Sequence, residues 1–163
     1  YTKRMLEKVE VKDALNHPTW RMGKKISVES ATLLNKAYEI IEAHHLFDCP
    51  LDKLDAVIDR ESFIHAIVEF KNPREKLALA YKPDMKIVIE DALLGYPSCK
   101  KMKFLNGESL ENHAFNKIDH KTFPAIKKTL RLYKKGEIKK FFRQKEKAIE
   151  SFLKGEIKFD KIV

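Results

Sequence analysis

Apolar residues recur every three to four positions near the start and end of this chain and follow a period of two in between, which admits neither an all-helical nor an all-β fold. From about Ser30 to Phe47, Leu33, Leu34, Ala37, Ile40, Ile41, Ala43 and Leu46 mark one buried face, and Asp48-Cys49-Pro50 stops the helix. Asp55-Ala56-Val57-Ile58, Phe63 to Phe70 and Leu77 to Tyr81 are rich in β-branched and aromatic residues and predict a small sheet containing an antiparallel hairpin. Asp84 to Leu94 reads as a helix closed by Gly95-Tyr96-Pro97. The helical period returns after Phe123-Pro124, with Gly136 ending one helix and Gly155 ending a second that starts at Ile138.

The expected fold class is therefore α/β (α+β): a small mixed sheet packed on helices, followed by an α-helical C-terminal domain. Residues 1–97 form the first domain, with mostly ordered loop over 1–29 and a flap loop at about 14–29. Residues 98–119 are the connector and 120–163 the helical domain. Charge divides at the same place: residues 1–97 carry 15 Lys and Arg against 16 Asp and Glu, residues 98–163 carry 18 against 8, and the net +9 is therefore a property of the second part. With 44% hydrophobic residues in 163, disorder is excluded, and no window of about 18 uncharged apolar residues exists to cross a membrane. Cys49 and Cys99 lack C-x-x-C spacing and are expected as reduced thiols in a cytoplasmic protein. Specific nucleic-acid recognition is not expected, because no base-reading module accompanies the Lys-rich stretch from Lys127 to Lys147.

Three groups of residues carry chemical potential. In His17-Pro18-Thr19-Trp20-Arg21-Met22-Gly23, large apolar side chains on a polar loop either tuck into the core or cover a ligand. Along the long helix, Ser30, Asn35, Lys36 and Glu39 lie on neighbouring lines of one surface. A hydroxyl, an amide and an ammonium near a helix N-terminus suit a phosphate; the alternative is a solvated face with an ordinary Lys–Glu pair. His65 sits on a strand, where alternation puts it beside Phe63 and Ile67 as a half-buried imidazole. His44-His45, at a helix end, is assigned no function.

Taken together, the run from His17 through Gly23, Lys24-Lys25-Ile26-Ser27-Val28-Glu29-Ser30, Ala31-Thr32-Leu33-Leu34-Asn35-Lys36 and Glu39 closely resembles the central catalytic segment of the 1-deoxy-D-xylulose 5-phosphate reductoisomerase family. Ser62-Phe63-Ile64-His65, Pro83-Asp84-Met85-Lys86 and Ala148 to Gly155 follow in the family's order. The resemblance implies an NADPH-dependent, divalent-metal-dependent oxidoreductase (Mg²⁺ or Mn²⁺) that makes 2-C-methyl-D-erythritol 4-phosphate for isoprenoid synthesis. Carried over by position, His17, Ser30, Asn35 and Lys36 hold the phosphate and Trp20 and Met22 belong to the flap. Gly23 approaches the nicotinamide, Glu39 ligates the metal that binds the substrate oxygens, and His65 and Met85 line the pocket. A homodimer is implied by the same analogy.

Asp59-Arg60-Glu61-Ser62 stands where the family usually reads His-Pro-Gln-Ser, and Phe142-Arg143-Gln144-Lys145-Glu146 where Asn-Ala-Ala-Asn-Glu is common. The family's Gly-rich nucleotide-binding domain and its Asp-Ser-Glu metal triplet would precede Tyr1. The expectation is therefore a catalytic and C-terminal portion that does not turn over substrate alone. The alternative is a non-catalytic phosphate- or polyanion-binding module that uses the basic half.

Overall fold

The computed structural model describes residues 2–72, 76–80, 84–94, 103–106, 110 and 113–163. Thr32 and Leu33 break the helical period that runs through the sequence from Ser30 to Phe47. The Thr32 hydroxyl donates to the Glu29 carbonyl at 3.1 Å, and Leu33 adopts φ 61°, a left-handed conformation that cannot continue a helix. Two helices result, α3 (Lys24–Ala31) and α4 (Leu34–Leu46), preceded by the short helices α1 (Lys3–Leu6) and α2 (Val11–Leu15). The expected loop over residues 1–29 is corrected: α1, α2 and the start of α3 occupy about half of it, and only residues 16–23 lack helix between α2 and α3.

The middle of the chain folds into a sheet of order β1-β2-β3, made of β1 (Ile64–Glu69), β2 (Lys76–Ala80) and β3 (Lys103–Asn106), with α5 (Met85–Leu94) between the last two strands. Both pairings are antiparallel, so the expected mixed sheet is not what forms. The segment expected as a connector contributes β3; four residues, Lys-Phe-Leu-Asn, are too few to display a period. Asp55 to Ile58 is not a named strand, and Ile58 makes a single bridge to Asn116.

The last part of the chain is helical as its pattern requires: α6 (Ala125–Lys134) and α7 (Ile138–Leu153), with no strand in residues 120–163. Gly136 at φ 72° ends α6, and the N–H groups of Gly136 and Glu137 bond back to Tyr133 and Leu132, both at 2.9 Å. A side chain there would be strained by about 1 kcal/mol, although a Cβ would meet open space.

The chain divides into two compact units, and the division differs from the expected one. Residues 1–56 fold with 118–163, while 57–117 form the other unit. In the first, Val28 and Leu34 share a core with Phe141, Ile149 and Phe152 of α7, and Ala37 and Ile40 of α4 pack with Ile126 of α6. Each such buried aliphatic side chain stabilises by roughly 1.5–3 kcal/mol, so α3 and α4 are set by residues more than eighty positions later. In the second unit, Ile64 and Ala78 are buried with Leu110, flanked by Phe63, Ile67 and Phe115.

Candidate functional site

The break at Leu33 creates a helix N-terminus where the sequence alone shows uninterrupted helix. Asn35 and Lys36 fall in the first turn of α4, no side chain caps that turn, and Ser30 belongs to the last turn of α3. The uncapped N–H groups and the helix dipole favour an anion there. The Asn35 amide donates to Oε1 of Glu39 at 2.6 Å, and the Lys36 ammonium donates to Oε2 of the same carboxylate. One amide, one ammonium and one carboxylate therefore converge at the start of α4, all half-buried.

His17 organises the loop before α3. Its Nδ1 accepts the backbone N–H groups of Thr19 at 3.2 Å and Trp20 at 3.1 Å, which requires a neutral ring with its proton on Nε2. Burial pushes the imidazole below its ordinary range, consistent with that state. Trp20 and Met22 are half-buried and belong to neither of the core clusters of their unit. Gly23 is the exposed residue before α3, in extended conformation at φ −61°, and its carbonyl accepts from the Ser27 hydroxyl at 3.0 Å.

Behind these residues lies a charged layer that spacing did not reveal. Lys25 of α3 pairs with Glu146 of α7, Glu29 is buried, and Tyr38 packs edge-on against Phe142 at 4.8 Å. Burial raises the Glu29 carboxyl, opposed by Lys25. Burial, reinforced by Glu29 and Glu146, pushes the Tyr38 hydroxyl up to about 12. Glu146 carries a usable sequence signal, because it is the one residue of Phe142 to Glu146 that matches the family's Asn-Ala-Ala-Asn-Glu.

His65 and Met85 lie in the other compact unit. His65 is exposed rather than half-buried, because the register shifts between Ile64, opposite Ala80, and Ala66, opposite Leu79, leaving His65 as an extra residue in β1. Alternation fails at that point, and Ile64 and Ile67 instead face the local core. Met85 opens α5. Cys49 is a free thiol, Cys99 lies outside the described residues, and no described helix is long and apolar enough to cross a membrane. Among the described residues no group of three His, Cys, Asp or Glu could hold a metal ion. Glu39 offers one oxygen ligand of the kind that hard divalent cations take.

Comparison with known proteins matches residues 1–47 to the 1-deoxy-D-xylulose 5-phosphate reductoisomerase C-terminal domain and residues 81–163 to the DXP reductoisomerase C-terminal domain. A relative from Wolbachia pipientis wMel, a 1-deoxy-D-xylulose 5-phosphate reductoisomerase, is 41% identical over 167 residues, covering 100% of this chain and 43% of that protein. One of the same name from Lysinibacillus sphaericus is 38% identical, covering 97% of this chain and 42% of the relative. The chain thus spans well under half the length of these relatives. Among solved structures, DOX-P reductoisomerase in complex with NADPH, fosmidomycin and magnesium superposes with a TM-score of 0.81 at 34% identity, over 99% of this chain and 40% of that one. The Zymomonas mobilis 1-deoxy-D-xylulose 5-phosphate reductoisomerase in complex with NADPH gives 0.80 at 31% identity, over 99% and 42%.

Proposed function

Because the chain belongs to the 1-deoxy-D-xylulose 5-phosphate reductoisomerase family, whose C-terminal domain models it matches, we propose that it forms the substrate-side portion of an enzyme converting 1-deoxy-D-xylulose 5-phosphate to 2-C-methyl-D-erythritol 4-phosphate. The observation that carries this reading is the convergence of Asn35, Lys36 and Glu39 on the uncapped first turn of α4.

The phosphate is received by the α4 N-terminus, with Asn35 and Lys36 as side-chain donors and Ser30 across the break at Leu33. His17, held neutral with its proton on Nε2, adds a donor that carries no charge of its own. Trp20 and Met22, outside the cores of their unit, close over the bound ester and exclude water. Gly23 leaves the backbone before α3 bare for a cofactor to approach; in the other compact unit, His65 takes a part in handling the substrate and Met85 in holding the cofactor, as the family resemblance implies. When bound, a divalent cation such as Mg²⁺ or Mn²⁺ polarises the substrate oxygens and NADPH supplies hydride. Glu39 fits the cation as one ligand among several, and the described residues supply no cluster that completes the shell, so the remaining ligands are assigned to the part of the family's length that this chain does not span. With a phosphate and a cation bound, Lys36 would hold the anion and Oε2 of Glu39 would be free for the cation, each facing the opposite sign in place of the other. In this reading the working enzyme is a cytoplasmic homodimer.

The test is NADPH oxidation by the complete protein with 1-deoxy-D-xylulose 5-phosphate and Mg²⁺. Asn35→Ala should raise KM for the phosphorylated ketose roughly 10-fold or more, the size of one lost hydrogen bond to a charged group. Unaltered KM in Asn35→Ala and Lys36→Ala alike would return this helix face to a solvated surface.

A further inference from the structure

The Asp59-Arg60-Glu61-Ser62 segment departs from the usual family pattern and has no part in the reading above. Its first carboxylate is only 7% exposed. Oδ2 of Asp59 accepts the backbone N–H groups of Phe63 at 2.9 Å and Ile64 at 2.7 Å, and Oδ1 accepts that of Glu61 at 2.9 Å. Nε2 of His113 lies 3.1 Å from Oδ1. Burial alone would raise this carboxyl, but the N–H of Ile64, His113 and the other two N–H groups outweigh it and hold it below the usual carboxylate range.

The turn so gathered leads directly into β1. Ser62 sits at φ 53°, a left-handed conformation that costs a non-glycine residue about 1–2 kcal/mol. The bonds of Asp59 to residues on both sides sustain it. The turn is also fastened to residues 113–116: Ile58 and Asn116 exchange N–H to carbonyl bonds at 2.9 Å each, and Nε of Arg60 donates to Oδ1 of Asn116 at 2.8 Å. Among the described strands β1 pairs only with β2, and the Ile64 N–H is taken by Asp59. The next residue is His65, the extra residue of the bulge.

We infer that Asp59 is a positioning residue for His65: its carboxylate, closed over by His113, pins the Ile64 N–H and thereby fixes the bulge that decides which way His65 leaves the strand. The physical reason is the period of two. A bulge that moves by one residue exchanges the faces of the residues it crosses, so the direction of His65 depends on where the bulge is anchored. Ile64, buried in the local core, and Asp59, gripping its amide, anchor it from the side chain and the backbone together. The inference rests on the part proposed above for His65 in handling the substrate.

A double-mutant cycle on the complete protein, with 1-deoxy-D-xylulose 5-phosphate as substrate, tests it. His65→Gln and Asp59→Asn should each lower kcat/KM, by roughly 10- to 100-fold for a displaced pocket group. The double variant should lie within about threefold of His65→Gln alone, because Asp59 acts through the residue already lost. Multiplying losses would mean that Asp59 acts otherwise and overturn the inference, as would unchanged kcat/KM in Asp59→Asn beside a damaged His65→Gln. An unaffected His65→Gln would instead remove His65 from substrate handling, and the inference with it. If Asp59→Asn fails to fold, judged by its melting transition, Asp59→Glu replaces it in the same cycle, because the longer side chain keeps the charge and its acceptor oxygens and moves the anchor of the Ile64 N–H.

Discussion

Replacing Lys36 by Ala separates the two roles that its ammonium can have. In the free protein its partner is Glu39, three residues on, and the two side chains are each 43% exposed. An ion pair so open to water contributes about 0.3–0.5 kcal/mol, and Ala regains a few tenths through its higher helix propensity. The unfolding free energy of the chain in urea should therefore change by less than about 0.5 kcal/mol. Against a phosphate ester the same ammonium makes a charge-assisted hydrogen bond worth about 1.5–3 kcal/mol, a loss of roughly 10- to 150-fold in affinity. Calorimetric titration of the complete protein with a phosphonate substrate mimic reads that loss, and the same titration with Mg²⁺ should show equal or tighter binding, because Oε2 of Glu39 is freed. Destabilisation above about 1.5 kcal/mol would make Lys36 a structural residue. Unchanged phosphonate affinity would refute the assignment of the first turn of α4.

In the complete protein, Glu39→Gln should abolish metal-dependent turnover while leaving the melting temperature within about 2 °C of the parent, since only a half-exposed pair is lost; retained activity would sink the metal assignment. His17 has a folded pKa below its ordinary 6.5, so the unfolded chain binds more protons in the window below 6.5 and the contribution of His17 to stability falls as pH drops through it. The protection of the Thr19 and Trp20 amides against exchange, relative to their intrinsic rates, should fall in that window, and pH-independent protection would contradict the Nδ1 acceptor role. Glu29 is shifted the other way, so between its ordinary 4.5 and its raised folded value the native state binds more protons and stability declines with rising pH. Glu29→Gln should accordingly raise the urea midpoint at pH 7 and lose that advantage near pH 4. The exposed cations of α6 and α7 should give weak, sequence-independent binding to nucleic acid that vanishes with added salt; tight binding to one sequence at physiological salt would favour a polyanion-binding module.

Sequence and tertiary structure divided the specification of this protein along a physical line. α6, its Gly136 end, α7 and its Gly155 end were legible because a helix records its buried face in a local period and its end in a residue that tolerates positive φ. The adjacency of Asn35, Lys36 and Glu39 was legible for the same reason, since three- and four-residue steps share a helix face wherever that helix lies. Their place near a helix start was legible too, but the break at Leu33 that puts Asn35 and Lys36 in the first turn of α4 was not. The apolar period runs through Leu33 undisturbed, and the break depends on the Thr32 hydroxyl, which is buried only once the helix bundle has closed around it. Nor could alternation locate the bulge at His65, which depends on the bond between the Ile64 N–H and Asp59, five residues earlier. The division into compact units was not legible either: charge and periodicity both change near residue 97, whereas α3 and α4 pack with α6 and α7. A period states that a face is apolar and where it points along its own element; which distant face covers it is settled only when the chain closes and the two shed their water together.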